Sequence, residues 1–411
     1  MVPRSGAVCS CSHAPSRPRH SGSFVDQRRT SLHTTKEIFN IRSPCLVPDV
    51  ADRLVATVDD LEIRVETGAG HGAYHEDADY EAAGCSVVER DAAFGTDIVT
   101  KVAPPSNDEI ERLGDGQVLI GLMTPLGRPA LAQALAERGV TTLAMELVPR
   151  ISRAQKLDAL SAMSSIGGYR AAILAAERLP KFFPLLTTAA GTVRPARVLV
   201  LGAGVAGLQA IATAKRLGAK VFGYDIREPT REEVESLGAS FVELEVDIDA
   251  DEDESGYAEE VEKEKQERQP ELLKPHIADA DVVISTALIP GKPAPLLVNE
   301  AALEAMDPGS VIVDLAAPNG GNCALTETGT EVVAHDVQIL SPTNLPAEMP
   351  VHASELYAKT VVAMIEEGLE EDTFAPDFDD QIFADACLTR DGEVRNDRVR
   401  RLLEPVEEEK G

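Results

Sequence analysis

From about residue 46 to 145, short apolar runs alternate with helical patterns. LEIRVETG, SVVER, DIVTKV and QVLIGLM are apolar runs of strand length closed by polar or turn residues, so strands are predicted there. PALAQALAERG has helical spacing and stops at its glycine. Strands that alternate with helices point to an α/β domain with a parallel sheet. PRISRAQKLDALSAMSSIGGYRAAILAAERLPKFF follows as a long helical stretch, expected to break at Gly167-Gly168 and to link two domains. Beyond it, RVLVLG is a buried strand, VAGLQAIATAKRLG a helix and KVFGYD the next strand. ADVVISTAL, SVIVDLA and VQILSP continue the series. The amphipathic ELYAKTVVAMIEEGLE, near 355–370, is expected to pack back on the first domain. The fold class is therefore α/β with two Rossmann-like domains, the second a doubly wound parallel sheet inserted into the first. The boundaries are 46–165 plus 345–405 for the first and 166–344 for the second.

With 411 residues, the chain can bury two cores. No stretch approaches the roughly 18 apolar residues of a membrane span, so a soluble protein is expected. A net charge of −30 speaks against a nucleic-acid-binding face. Acidity spread over the chain, with 4% aromatics, favours a solvated, halophilic type of surface over an acidic docking face. The segment EVDIDADEDESGYAEEVEKEKQERQPE is too charged for a core, since eight of the twelve residues from 243 to 254 are acidic. A mobile loop followed by a surface helix is expected there.

Residues 1–45 break this pattern. They hold seven of the 39 basic residues and two of the 69 acidic ones, which leaves a net charge of −35 on the remainder. A targeting peptide is Arg- and Ser-rich in this way, but Pro3, Pro15 and Pro18 break an amphipathic helix and there is no apolar signal core. The segment looks foreign to the chain that follows, as a mis-assigned start or a frameshift would leave it. It is expected to be dispensable. The six cysteines form no C-x-x-C pair. His71 and His75 stand four apart in GHGAYHED, but the flanking glycines favour a loop over a metal site. A reduced, metal-free, cytoplasmic protein is expected.

Gly202-Ala203-Gly204-Val205-Ala206-Gly207 follows a strand and opens a helix. In such a motif the first glycine permits the tight turn, the second admits a pyrophosphate, and the third lets helix and strand approach. The helix N-terminus adds free N–H groups and a positive dipole. Asp225 ends the next strand, 21 residues after Gly204, where a carboxylate accepts from a ribose 2′-hydroxyl and repels a 2′-phosphate. NAD is therefore expected rather than NADP, with Asp225-Ile226-Arg227 at the ribose, although a nearby arginine can accommodate a phosphate. A dehydrogenase acting on an alcohol or amine also needs a proton acceptor. The histidines beyond residue 45 are His71, His75, His276, His335 and His352, and none stands at a strand end with a convincing acid partner.

ELVPRISRAQKLDALSAMSSIGGYRAAI, TTAAGTVRPARVLVLGAGVAGLQAIATAKRLGA, TALIPGKPAP and PGSVIVDLAAPNGGN together resemble the NAD(H)-binding domain of proton-translocating nicotinamide nucleotide transhydrogenases. The resemblance covers roughly 46–400. Alanine dehydrogenases form the related family of the same fold. Their catalytic histidine follows the strand matching QVLIGLM, where this chain has Leu122 and Met123. Their catalytic aspartate lies in the segment matching DLAAPNGG, where Pro318 and Asn319 stand.

The resemblance implies that Arg150, Gln155, Asp158 and Ser161 form the polar loop beside the nicotinamide, with Gln155 bridging to a second nucleotide. Their three-residue spacing predicts that Gln155, Asp158 and Ser161 share one helix face. Ser255-Gly256-Tyr257-Ala258 matches the family's mobile lid over the cofactor. Thr286, Ala287, Leu288 and Lys292, in TALIPGKPAP, fall near the cofactor. NIRSPC replaces the family's opening strand, which puts that strand in doubt. The implied activity is direct hydride exchange between NAD(H) here and NADP(H) on a partner subunit, coupled to proton translocation by a membrane-spanning partner. A homodimer docked at the inner face of the membrane is also implied. Two rings exchanging hydride need no protein acid or base, which accounts for the missing proton acceptor. An alanine-dehydrogenase-like enzyme and a non-catalytic NAD-binding module are the alternatives.

Overall fold

The computed structural model describes residues 31–34, 45–244, 257–289 and 292–404, and the side chains of all of these except 31–34 and 257–267. Two large sheets organise them. Across the first sheet the strands run Glu393–Val394, Cys387–Arg390, Thr141–Ala144, Val118–Gly121, Ile98–Lys101, Ser31–Thr34, Glu62–Glu66 and Ser86–Val88. From Thr141–Ala144 to Ser86–Val88 neighbouring strands are parallel, and the C-terminal pair adds antiparallel. The second sheet runs Ser240–Phe241, Lys220–Tyr224, Arg197–Leu201, Val282–Ser285, Val311–Asp314, Val337–Leu340 and Glu331–Ala334, with only the last pairing antiparallel. All its strands fall between Thr141–Ala144 and Cys387–Arg390 of the first sheet, so the second unit is inserted into the first.

The strand patterns account for this architecture. Ile98–Lys101, Val282–Ser285 and Val311–Asp314 are buried at every position, as parallel strands covered on both faces must be. In the second sheet the strand order turns back at Arg197–Leu201, with Lys220–Tyr224 on one side and Val282–Ser285 on the other. Doubly wound sheets hold ligands in the crevice beyond the strand ends at such a point. The helix Pro350–Glu367 contributes Tyr357, Val361, Met364 and Ile365 to the core of the first sheet, and the Tyr357 hydroxyl donates to the Lys101 carbonyl at 2.7 Å. That helix starts five residues before the predicted pattern.

Two expectations need correction. The linking helix does not break at Gly167-Gly168; it runs unbroken from Ala159 to Arg178. Gly168 serves packing, because a Cβ there would lie 2.0 Å from the Ala206 carbonyl oxygen of the glycine-motif helix. The second correction concerns residues 1–45. Ser31–Thr34 pairs in parallel with Glu62–Glu66 on one side and Ile98–Lys101 on the other, so the opening strand exists and sits inside the sheet. Cys45 is buried in the core of the first sheet as well. Residues 1–30 and 35–44, which include most of the basic segment, lie outside the described residues.

Deleting residues 1–45 should therefore unfold the first domain. The deletion strips ladder partners from two strands whose Ile63 and Ile98 are almost wholly buried. Each orphaned buried backbone group costs roughly 1–3 kcal/mol. Thermal unfolding followed by circular dichroism checks this, and an unchanged midpoint in the truncated chain would place the strand outside the fold.

Candidate dinucleotide site

The glycine turn joins the strand Arg197–Leu201 to the helix Val205–Arg216. Gly202 has φ +95°, a left-handed conformation that side chains resist, and its N–H donates to the Tyr224 carbonyl at 2.8 Å. Gly204 caps the helix, and nothing lies within 4 Å of a Cβ placed there. That open side is where the backbone offers room to a pyrophosphate. Gly207 is constrained by contact, since its Cβ would fall 1.8 Å from the Gly202 carbonyl oxygen. Ala203 is buried, while Val205 stands exposed and Ala206 lies against Gly168 of the linking helix.

Asp225 follows the strand Lys220–Tyr224 and is 9% exposed. One carboxylate oxygen accepts from the Ala203 N–H at 2.7 Å, the other from the Arg227 N–H at 2.9 Å. The Arg227 guanidinium closes over both, with Nε to Oδ1 and Nη2 to Oδ2 each at 2.9 Å. Burial pushes the carboxyl pKa upward, but the bonds from Arg227 and Ala203 outweigh it and hold the group below its ordinary value. Ile226, between them, is exposed.

Beyond Val282–Ser285, Thr286 donates its hydroxyl to the Gly202 carbonyl at 2.9 Å. It thereby fastens this loop to the glycine turn. Ala287 is held on both sides by Asn322, whose amide oxygen accepts from the Ala287 N–H at 3.1 Å and whose Nδ2 donates to the Ala287 carbonyl at 2.9 Å. Leu288 and Lys292 are exposed, and the Lys292 N–H donates to the Ile289 carbonyl. Asp314 organises this end of the sheet from below. It is fully buried and accepts from Ser285 and Thr326 hydroxyls and from the backbone N–H groups of Ala316, Asn322 and Cys323. Asp314 and Asn322 escaped the sequence reading. Their signal was an acid closing an apolar strand shortly before Gly320-Gly321, both of which adopt positive φ.

The polar loop is only partly as expected. Gln155 lies in a 3-10 helix, Ser152–Leu157, whereas Ser161 lies in the first turn of the α-helix Ala159–Arg178. Asp158 is the cap between them, so the three residues do not sit on one helix. Asp158 accepts from the Ser161 N–H at 2.8 Å and from its hydroxyl at 2.6 Å, which joins these two residues. Arg150 and Gln155 are exposed, and the Gln155 amide has no hydrogen-bond partner among the described residues. Tyr257 begins the helix Tyr257–Ala278. The lid segment before it, residues 245–256, lies outside the described residues. His71 pairs with Glu76 at 3.2 Å, and the His75 ring meets Tyr80 edge-on at 6.3 Å.

Family models for the N-terminal and C-terminal domains of alanine dehydrogenase/PNT match residues 34–167 and 171–397 respectively. The chain belongs to the alanine dehydrogenase/PNT family. Within it, an NAD(P) transhydrogenase alpha subunit from Rhodospirillum rubrum is 43% identical over 357 residues, 84% of this chain and 92% of that one. The crystal structure of a transhydrogenase from Sinorhizobium meliloti superposes with a TM-score of 0.80 at 39% identity, covering 89% of this chain and 99% of that one. An alanine dehydrogenase from Bacillus subtilis is more distant, at 31% identity over 280 residues, 67% of this chain and 66% of that one.

Leu122 and Met123 stand just beyond the strand Val118–Gly121, and Pro318 and Asn319 beyond Val311–Asp314. Met123 is fully buried in the core and Leu122 is partly buried, so this strand end offers packing instead of proton transfer. Pro318 and Asn319 are exposed. Glu146 is the nearest acid to Met123 through hydrogen bonding. Its Oε1 accepts from the Met123 and Thr124 N–H groups, and its Oε2 is enclosed without a partner. Burial pushes its pKa up, against the pull of those backbone bonds.

Proposed function

We propose that this chain is the NAD(H)-binding subunit of a transhydrogenase, exchanging hydride with NADP(H) held by a separate partner subunit. The proposal carries proton translocation by a membrane-spanning partner, homodimerisation, and a peripheral cytoplasmic position. Among the described residues no helix is long and apolar enough to cross a membrane, which is in keeping with that division of labour.

The observation that carries the reading is a glycine turn shaped for a dinucleotide, with Leu122, Met123, Pro318 and Asn319 at the positions where the resemblance puts a dehydrogenase's proton-transfer residues. Open space at Gly204, the free helix N-terminus and the carboxylate of Asp225 fit a pyrophosphate and an adenine ribose. NAD(H), when bound, supplies the hydride carrier. The residues of the chain then bind and orient: Asp225 takes the ribose hydroxyls, Thr286 and Ala287 hold the loop beside the turn, and the Asp158–Ser161 pair fixes the first turn of the linking helix. Arg150 and Lys292 are exposed cations available to a doubly charged ligand. The lid around Tyr257 keeps its proposed part in covering the adenine side. Glu146 is no substitute for a catalytic base, because its one free oxygen is sealed from any substrate.

The test compares the isolated chain with the reconstituted complex. Calorimetry should show NADH binding well over tenfold tighter than NADPH, since the Asp225 carboxylate repels a 2′-phosphate. Hydride transfer should appear only when an NADP-binding partner is added. Turnover of pyruvate, ammonia and NADH by the chain alone would instead establish the alanine dehydrogenase reading.

A further inference from the structure

We infer that Arg227 is a latch on the cofactor site, which occupies the ribose-binding face of Asp225 until the cofactor displaces it. The inference deepens the NAD(H) reading and rests on it. A ribose diol needs the outward lone pairs of the Asp225 carboxylate. In the structure all four hydrogen bonds to the two oxygens are made within the chain, two by backbone N–H groups and two by the Arg227 fork. The backbone pair is fixed. Ala203 belongs to the glycine turn, and the Arg227 backbone is pinned by its own N–H to Asp225 and by its carbonyl, which accepts from the Thr230 hydroxyl at 2.6 Å. Only the guanidinium is free to leave. It is the exposed half of the pair, with its side chain 59% accessible against 6% for Asp225.

A second carboxylate lies on the exposed side of the pair. Glu233, exposed in the first turn of the helix Thr230–Ser236, also attracts the Arg227 charge, but more weakly than Asp225 and without a hydrogen bond. Rotation about the Arg227 side-chain bonds would release the fork into solvent while its backbone stays held by Asp225 and Thr230. Two consequences follow. Opening the latch opposes NADH binding by the strength of a half-exposed bidentate pair. Once released, the guanidinium stands within the ribose region, where it offsets part of the repulsion between Asp225 and a 2′-phosphate.

The experiment is calorimetric titration of the full chain and its Arg227→Gln variant with NADH and with NADPH, at about 0.1 M and about 1 M KCl. These concentrations span the range over which exposed charges become screened. Arg227→Gln should bind NADH about fivefold tighter, the factor that corresponds to an ion pair of about 1 kcal/mol. The same variant should bind NADPH no better than the parent, so discrimination rises. High salt should tighten NADH binding to the parent and leave the variant unmoved. Arg227→Lys, which keeps the charge without the fork, should fall between them. Weaker or equal NADH binding by Arg227→Gln would overturn the latch, and so would equal gains for both nucleotides. A parent chain that binds no NADH would remove the underlying NAD(H) reading and the latch with it.

Discussion

Gly168→Ala should destabilise the protein by about 2 kcal/mol or more, while Gly167→Ala, one residue earlier, should stabilise it by up to about 1 kcal/mol. Both glycines lie inside the helix Ala159–Arg178, where alanine is ordinarily the better residue. Helix propensity alone predicts a gain at both. Contact decides otherwise at one of them. A Cβ on Gly168 would meet the Ala206 oxygen at 2.0 Å and its carbonyl carbon at 2.8 Å, whereas nothing lies within 4 Å of a Cβ on Gly167. The obstacle is backbone, so no side chain can rotate aside, and the two helices must part. That displacement would also shift the first turn of the helix Val205–Arg216, where the proposed phosphate site lies. Urea denaturation measures the stability change, and calorimetry with NADH should show weakened binding for Gly168→Ala only. Equal effects of the two substitutions would mean that the close approach has no energetic consequence.

This pair of glycines also shows what the sequence makes legible. The strands around the site were readable because apolar residues dominate each of them, as burial on both faces favours, with Ser285 and Asp314 the buried polar exceptions at the strand ends. The glycine motif was readable because its constraints are local: a positive φ at Gly202 and a contact between Gly207 and Gly202, five residues apart. Gly168 was misread as a helix break because its reason lies 38 residues away, in the Ala206 carbonyl. Ser31–Thr34 was missed because SLHT has a single strongly apolar residue and sits in a segment of unlike charge. Its place in the sheet is set by the strands on either side.

The candidate site divides in the same way. Asp225 directly follows its strand, as the motif spacing predicts, but the Arg227 fork depends on a side-chain rotamer that no spacing encodes. Asp314 gathers donors from the next strand over and from a loop that returns eight to twelve residues later. A pattern search along the chain sees only an acid at the end of a strand. For Gln155, Asp158 and Ser161 the spacing was correct and the element was wrong. A 3-10 helix ends where an α-helix begins, and Asp158 changes one into the other by capping.

Gln155 presents an exposed amide with no partner among the described residues, on a short helix whose Ala154 and Leu157 are buried. Its backbone is therefore anchored while its side chain is left to reach outward, as a group meant to contact a second molecule would be. If that molecule is the partner's NADP(H), Gln155→Asn should leave NADH binding to the isolated chain unchanged, because nothing described in the chain loses a bond. The substitution withdraws the amide by one methylene, about 1.5 Å. A misplacement of about 1 Å between reacting groups can cost up to a hundredfold in rate. Single-turnover hydride transfer in the reconstituted complex should accordingly slow by about ten- to a hundredfold. Gln155→Glu keeps the length and supplies a negative charge beside a phosphate-bearing partner, so it should slow transfer while weakening the encounter as well. The two variants separate reach from charge: a loss confined to Glu would mean that the amide's position is immaterial. Loss of NADH binding in Gln155→Asn would make the residue an ordinary cofactor ligand, and an unchanged transfer rate in both variants would remove it from the mechanism.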